Sequence, residues 1–69
     1  MGKENEYTTL EVVYKTKTQN AVLVVYADEE TWIPRSLLSY TSEKMLENLE
    51  RDDEFNMSVM AWKATQMGA

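Results

Sequence analysis

The sequence predicts an α+β fold: a small antiparallel β-sheet, built as a three-stranded meander plus a fourth strand, with one or two short helices in the order β-β-β-α-β-α. Three observations predict it. Apolar and polar residues alternate twice, around Leu10, Val12 and Tyr14 and again around Phe55, Met57 and Val59. That period of two marks a half-buried strand. Between these stretches "AVLVVYA", residues 21–27, is continuously apolar and rich in β-branched side chains, as in a central strand covered on both faces. Finally, Thr41 and Ser42 precede Met45, Leu46 and Leu49, a narrow apolar face at helical spacing.

The elements follow in order. Residues 1–8 are a polar, flexible N-terminus and residues 9–69 a single domain. The first strand begins at Thr9, with Leu10, Val12 and Tyr14 on one side and Glu11, Val13 and Lys15 on the other. "KTKTQN" is a polar turn, in which Asn20 tolerates a left-handed backbone. "DEE", residues 28–30, makes a tight acidic turn, and "TWI" is a short third strand. Pro34 ends the ladder because it has no N–H to donate, and it opens a brief coil over "PRSLL". Residues 42–51 form a short helix capped by Thr41 or Ser42, with Glu43 suited to the positive end of its dipole. "EFNMSVM" is the fourth strand, at a sheet edge or paired with the third. "AWKATQM" closes the chain as a helical turn or two, stopped by Gly68, with Trp62 capping the core.

Composition excludes several function classes. At 69 residues the chain buries only about 60% of its unfolded surface, so its core is small. It has no cysteine, so neither a disulfide nor a thiolate-metal site can staple it. It has no histidine, which removes the commonest general base and metal ligand. No stretch approaches the run of ~20 apolar residues that spans a bilayer, and the first residues lack a signal peptide's apolar segment. A soluble cytoplasmic protein without membrane contact is the expectation.

Charge is segregated along the chain. Nine acids lie in residues 28–54 (Asp28, Glu29, Glu30, Glu43, Glu47, Glu50, Asp52, Asp53, Glu54) against three bases (Arg35, Lys44, Arg51), a balance of −6. The remainder holds three acids and four bases, a balance of +1. Such a field repels a phosphate backbone and attracts basic surfaces. Direct nucleic-acid binding is therefore disfavoured, although Lys15 and Lys17 form a local basic patch.

Three candidate surfaces emerge. Glu43, Glu47, Glu50 and Glu54 stand at i, i+4, i+7 and i+11, which on a continuous helix places four carboxylates on one face. Asp52 and Asp53 extend the cluster, and Glu47–Arg51 has the spacing of a favourable helical pair. These six acids either dock on a basic partner in the manner of a row of phosphates or form a solvated face that keeps a small protein soluble. "WIPRS" is either a structural corner or a contact site, with Arg35 placed to answer the Asp28–Glu30 turn. The aromatics, with Met57, Met60 and Met67, fill the core or anchor an interface, a homodimer included. Catalysis lacks its parts: Ser36, Ser39, Ser42 and Ser58 have no histidine to activate them. "DDE" and "DEE" lack the D-x-D-x-D-G spacing of a calcium loop. Neither a metal nor another cofactor is expected.

Two short patterns carry a resemblance. "AVLVVYADEETWIPRSLL" and "MSVMAWKATQMG" hold the pieces W-[IL]-P-[KR]-S and W-x-A-x-x-x-G, through Trp32, Pro34, Arg35 and Ser36, then Trp62, Ala64 and Gly68. In this the chain resembles small proteins of bacteriophages and mobile elements. The resemblance implies a non-enzymatic accessory protein acting in the host bacterial cytoplasm. Small acidic phage proteins, anti-CRISPR proteins among them, block host defences by covering basic nucleic-acid-binding surfaces. The expected function is inhibition of a nucleic-acid-handling host complex by an acidic surface docked on a basic one. The alternatives are a self-assembling phage component and a small nucleic-acid-binding accessory using Lys15, Lys17 and Arg35.

Overall fold

A computed structural model of the chain describes residues 6–69. Strand β1 (Tyr7–Lys17) turns through Thr18–Asn20 into β2 (Ala21–Tyr26), and β2 into β3 (Glu29–Pro34). A 3-10 turn (Arg35–Leu37) leads to α1 (Tyr40–Met45), a second 3-10 turn (Leu46–Asn48), β4 (Glu54–Met60) and α2 (Ala61–Gln66). The four strands make one antiparallel sheet in the order β3-β2-β1-β4. The expected α+β class and order of elements are therefore present.

One face of the sheet makes the core. Leu10, Val12 and Tyr14 from β1, Val22 and Val24 from β2, Ile33 from β3, and Phe55, Met57 and Val59 from β4 all point to it. Leu38, Leu46 and Ala64 cover them from the connecting segments and α2. Cross-strand register is consistent with this division: Leu10 opposes Met57, Val12 opposes Phe55, and Val22 opposes Ile33. The opposite face carries Glu11, Val13, Leu23, Val25, Glu30, Trp32 and Glu54. Its apolar members are half-buried, apart from the exposed Trp32.

Several expectations are corrected. Strand β1 begins at Tyr7, so Tyr7 and Thr8 are not a flexible tail: they pair with Met60 and Val59. Residues 1–5 of that expected tail lie outside the described residues. Strand β2 is central but closely covered on one face only, because both helices pack on the same side of the sheet. The second turn is Ala27–Asp28, with φ of 54° and 66°. Positive φ at both central positions gives the hairpin a turn whose twist matches its strands. Glu29 and Glu30 consequently join β3, opposite Tyr26 and Val25. Of the two places expected for the fourth strand, β4 takes the sheet edge, paired with β1 and not with β3.

The helical segments differ most. Helix α1 starts at Tyr40 because Ser39, not Thr41 or Ser42, is its cap: the Ser39 hydroxyl accepts from the Ser42 N–H at 3.2 Å. Ser42 is used elsewhere, its Oγ accepting from the Ser58 N–H of β4 at 2.8 Å. The helix stops after six residues, where the Leu46 N–H turns to the Glu43 and Lys44 carbonyls and the chain tightens to 3-10 geometry. Leu49 is already extended, with ψ of 146°. At the C-terminus the core contact of α2 is Ala64, and Trp62 stands 50% exposed. A small side chain lets the short helix approach the sheet, which sends the bulky indole outward. Gly68 ends α2 as expected, with φ of 100°. Its N–H donates to the Thr65 carbonyl at 3.1 Å, and the Ala69 N–H to the Ala64 carbonyl at 3.0 Å, a complete Schellman closure.

Candidate interaction surface

The acidic segment does not form one helical face. Glu43 lies in α1, Glu47 in the 3-10 turn, Glu50, Asp52 and Asp53 in the following turn, and Glu54 at the start of β4. The i, i+4, i+7, i+11 alignment needs a helix through residue 54, and the backbone leaves helical geometry at Leu49. For the same reason Glu47 and Arg51 do not make the expected helical ion pair.

Instead, bases from the sheet hold the segment in place. A bulge in β1 lies between Tyr14 and Thr16. The extra residue, Lys15, reaches the Asp52 carboxylate. The bulge also shifts parity, so Lys17 opposes the core residue Val22. Its ammonium then crosses to the Leu46 carbonyl at 3.1 Å and lies 5.9 Å from the centre of the Tyr14 ring. This donor offsets one of the carbonyls left unpaired where the helix ends. Arg35 sits at the corner after β3, where Nη1 donates to the Thr18 carbonyl at 3.2 Å and Nε lies 3.7 Å from Glu43 Oε2. Its acidic neighbour is thus Glu43, not the Asp28–Glu30 turn as expected.

The turn before β4 is similarly fixed. The Asp53 N–H donates to the Glu50 carbonyl at 2.9 Å, and Asp53 Oδ2 accepts from the Glu50 N–H at 2.8 Å. Asp52 takes the left-handed third position, with φ of 75°, as a type II turn requires. Tyr14 then bonds two residues of this turn: its N–H donates to the Asp53 carbonyl and its carbonyl accepts from the Asp52 N–H, both at 2.7 Å. The Lys15 ammonium lowers the Asp52 carboxyl below its ordinary value near 3.8, first by hydrogen bonding and then by its charge.

The six expected contact acids therefore divide. Glu43, Asp52 and Asp53 are engaged within the chain. The carboxylates of Glu47, Glu50 and Glu54 are exposed and make no ion pair among the described residues. Of the motif residues, Trp32 is 49% exposed on the open sheet face, and Pro34 pairs with Ala21 at the end of the edge strand. Ser36 is exposed on the 3-10 turn. Among the described residues no group of three or more acids is arranged to hold a metal ion, and no helix is long and apolar enough to cross a membrane.

Sequence reasoning missed a second acidic place. A cavity of about 310 Å³ opens on the uncovered sheet face, over Val13, Val25 and Ala27, with Glu11, Asp28 and Glu54 around it. The available signal was the alternation of β1, which sets Glu11 beside Val13 on the face away from the core. The partners from β2 and β4 needed the strand register. No protein-family model, curated protein or solved structure matches the chain.

Proposed function

We propose that this chain is a non-enzymatic interaction protein that inhibits a nucleic-acid-handling complex by docking an acidic surface on a Lys/Arg-lined one. One observation carries the reading: the direction in which the charges face. Lys15, Lys17 and Arg35 bond within the chain, while Glu47, Glu50 and Glu54 face outward. The pairing of Lys15 with Asp52 and of Arg35 with Glu43 leaves the net charge of −5 unchanged and leaves Glu47, Glu50 and Glu54 as its outward, unpaired acids among the described residues. Opposed fields of this kind accelerate encounter with a basic groove and compete with the nucleic acid that groove binds. An anti-CRISPR-like role in the bacterial cytoplasm is the specific form of this proposal, taken from the phage-type resemblance.

The test is displacement. A fluorescent DNA duplex bound to purified RNA-guided nuclease complexes is titrated with the chain at increasing salt. The chain is expected to release the duplex, less effectively as salt rises. Reversing Glu47, Glu50 and Glu54 together to lysine is expected to weaken release at least tenfold while leaving the fold intact, since none of the three carboxylates has an ion-pair partner among the described residues. Release that ignores both salt and charge reversal would defeat the reading, as would no release at low salt.

A further inference from the structure

Resting on that reading, we infer that the main contact is made by the open face of the sheet, and that it receives a protein surface with an apolar centre ringed by Lys and Arg. The register assembles the apolar part. Trp32 opposes Leu23, and Val25 opposes Val13. Leu23 and Val25 are same-face neighbours on β2, so the four side chains form one oblique stripe across three strands. Neither helix covers it, because both pack on the other face. The stripe includes Trp32, which is 49% exposed. A half-exposed tryptophan beside aliphatic neighbours has the character of an interface anchor.

The rim selects the partner's chemistry. Glu30 flanks Val25 on one side of the stripe and Glu54 flanks Val13 on the other. Of these two, Glu54 lines the cavity over Val13 and Val25, together with Glu11 and Asp28. Lys15, two residues along β1 from Val13, is held by Asp52. A lysine or arginine entering the cavity lays its aliphatic stem on Val13 and Val25 and brings its charge among carboxylates, a match for both halves of that side chain. The same rim opposes a second copy. A two-fold dimer puts identical patches together, which here sets the acids of one rim against those of the other.

The experiment is a titration of the full isotope-labelled chain, followed by amide and indole chemical shifts. One probe is a ten-residue peptide alternating arginine and leucine; the other alternates arginine and serine. The first is expected to bind about tenfold more tightly, shifting Val13, Leu23, Val25, Glu30 and the Trp32 indole. Trp32→Ala is expected to erase that preference, and Trp32→Tyr to recover most of it. Glu11→Lys with Glu30→Lys should weaken both peptides at least tenfold, whereas Glu47→Lys with Glu50→Lys should change the first by less than twofold. Shifts confined to residues 43–53, with the loss following Glu47 and Glu50, would overturn the inference and keep the broader reading. If neither peptide shifts any residue at low salt, both fall. Concentration-dependent shifts at Trp32 without peptide would assign the face to a second copy and also overturn the inference.

Discussion

Replacing Ser42 with alanine tests how the helical segment is held to the sheet. Ser42 is 2% exposed, and its hydroxyl is the acceptor for the Ser58 N–H at 2.8 Å. Ser58 lies on β4, whose inner edge is taken by β1. Alanine removes the oxygen and almost no volume, so the change isolates one hydrogen bond. Leaving a buried donor unpaired costs about 1–3 kcal/mol. Ser58 is itself half-buried and water can reach part of it, which argues for the lower half of that range. Alanine also favours a helix by roughly 0.5 kcal/mol. The net expectation is a loss of about 1 kcal/mol, or a fall in Tm of roughly 4–8 °C for a domain of this size. Urea and thermal unfolding followed by circular dichroism measure it, with amide exchange at Ser58 as the local readout. Ser39→Ala is the control: it should lose a similar amount through the helix cap while Ser58 stays protected. A Ser42→Ala variant within about 0.3 kcal/mol of the parent, with Ser58 still protected, would refute the argument.

Other perturbations follow from the same geometry. Replacing Ala27–Asp28 by Asn–Gly supplies residues suited to their positive φ and should stabilise the chain by about 1 kcal/mol; an unchanged urea midpoint would contradict it. Lys17→Met keeps the stem but removes the bond to the Leu46 carbonyl, at an expected cost of about 1 kcal/mol, and parental stability in denaturant would show that bond to be idle. Asp52→Asn retains tolerance of the left-handed backbone and removes the charge paired with Lys15. Because Lys15 lowers the Asp52 carboxyl in the folded chain, that pairing stabilises above the unfolded value near 3.8 and is lost as pH falls through the folded one. The stability gap between parent and variant should therefore be flat near neutrality and close in acid below that value. A gap that persists in strong acid would assign the effect to something other than the ion pair.

What the sequence made legible was whatever alternation or a backbone breaker encodes. Leu10, Val12 and Tyr14 point to the core as their period requires, and so do Phe55, Met57 and Val59. Pro34 and Gly68 stop their elements where their backbones dictate. The extent of α1 was not legible, because Ser39, Thr41 and Ser42 are all competent caps. The choice depends on Ser42 being needed by β4, a contact sixteen residues away in the chain. The acidic stripe failed for a related reason: helical spacing has meaning only while the helix lasts, and burial of Leu46 together with the Glu50–Asp53 turn ends it early. The turn after β2 was expected at residues 28–30 and lies at Ala27–Asp28, because neither residue is the glycine or asparagine that marks a positive-φ turn. Trp62 misled by size, since the close approach of α2 demanded the small side chain of Ala64.

The bulge in β1 links the fold to the proposed function. Without it, Lys15 would keep its place in the alternation and Lys17 would share the open face with Val13. With it, Lys15 turns to Asp52 while Lys17 crosses to the core side and meets Leu46. One extra residue thus withdraws two positive charges from the face that carries Trp32 and the acids around Val13 and Val25. Arg35 is withdrawn separately, between the Thr18 carbonyl and Glu43. A nucleic-acid-binding role would draw on these same three bases, yet binding phosphate would require breaking contacts that hold the connecting segment to the sheet. A basic protein partner requires no such break, because the acids of the open face are already turned outward.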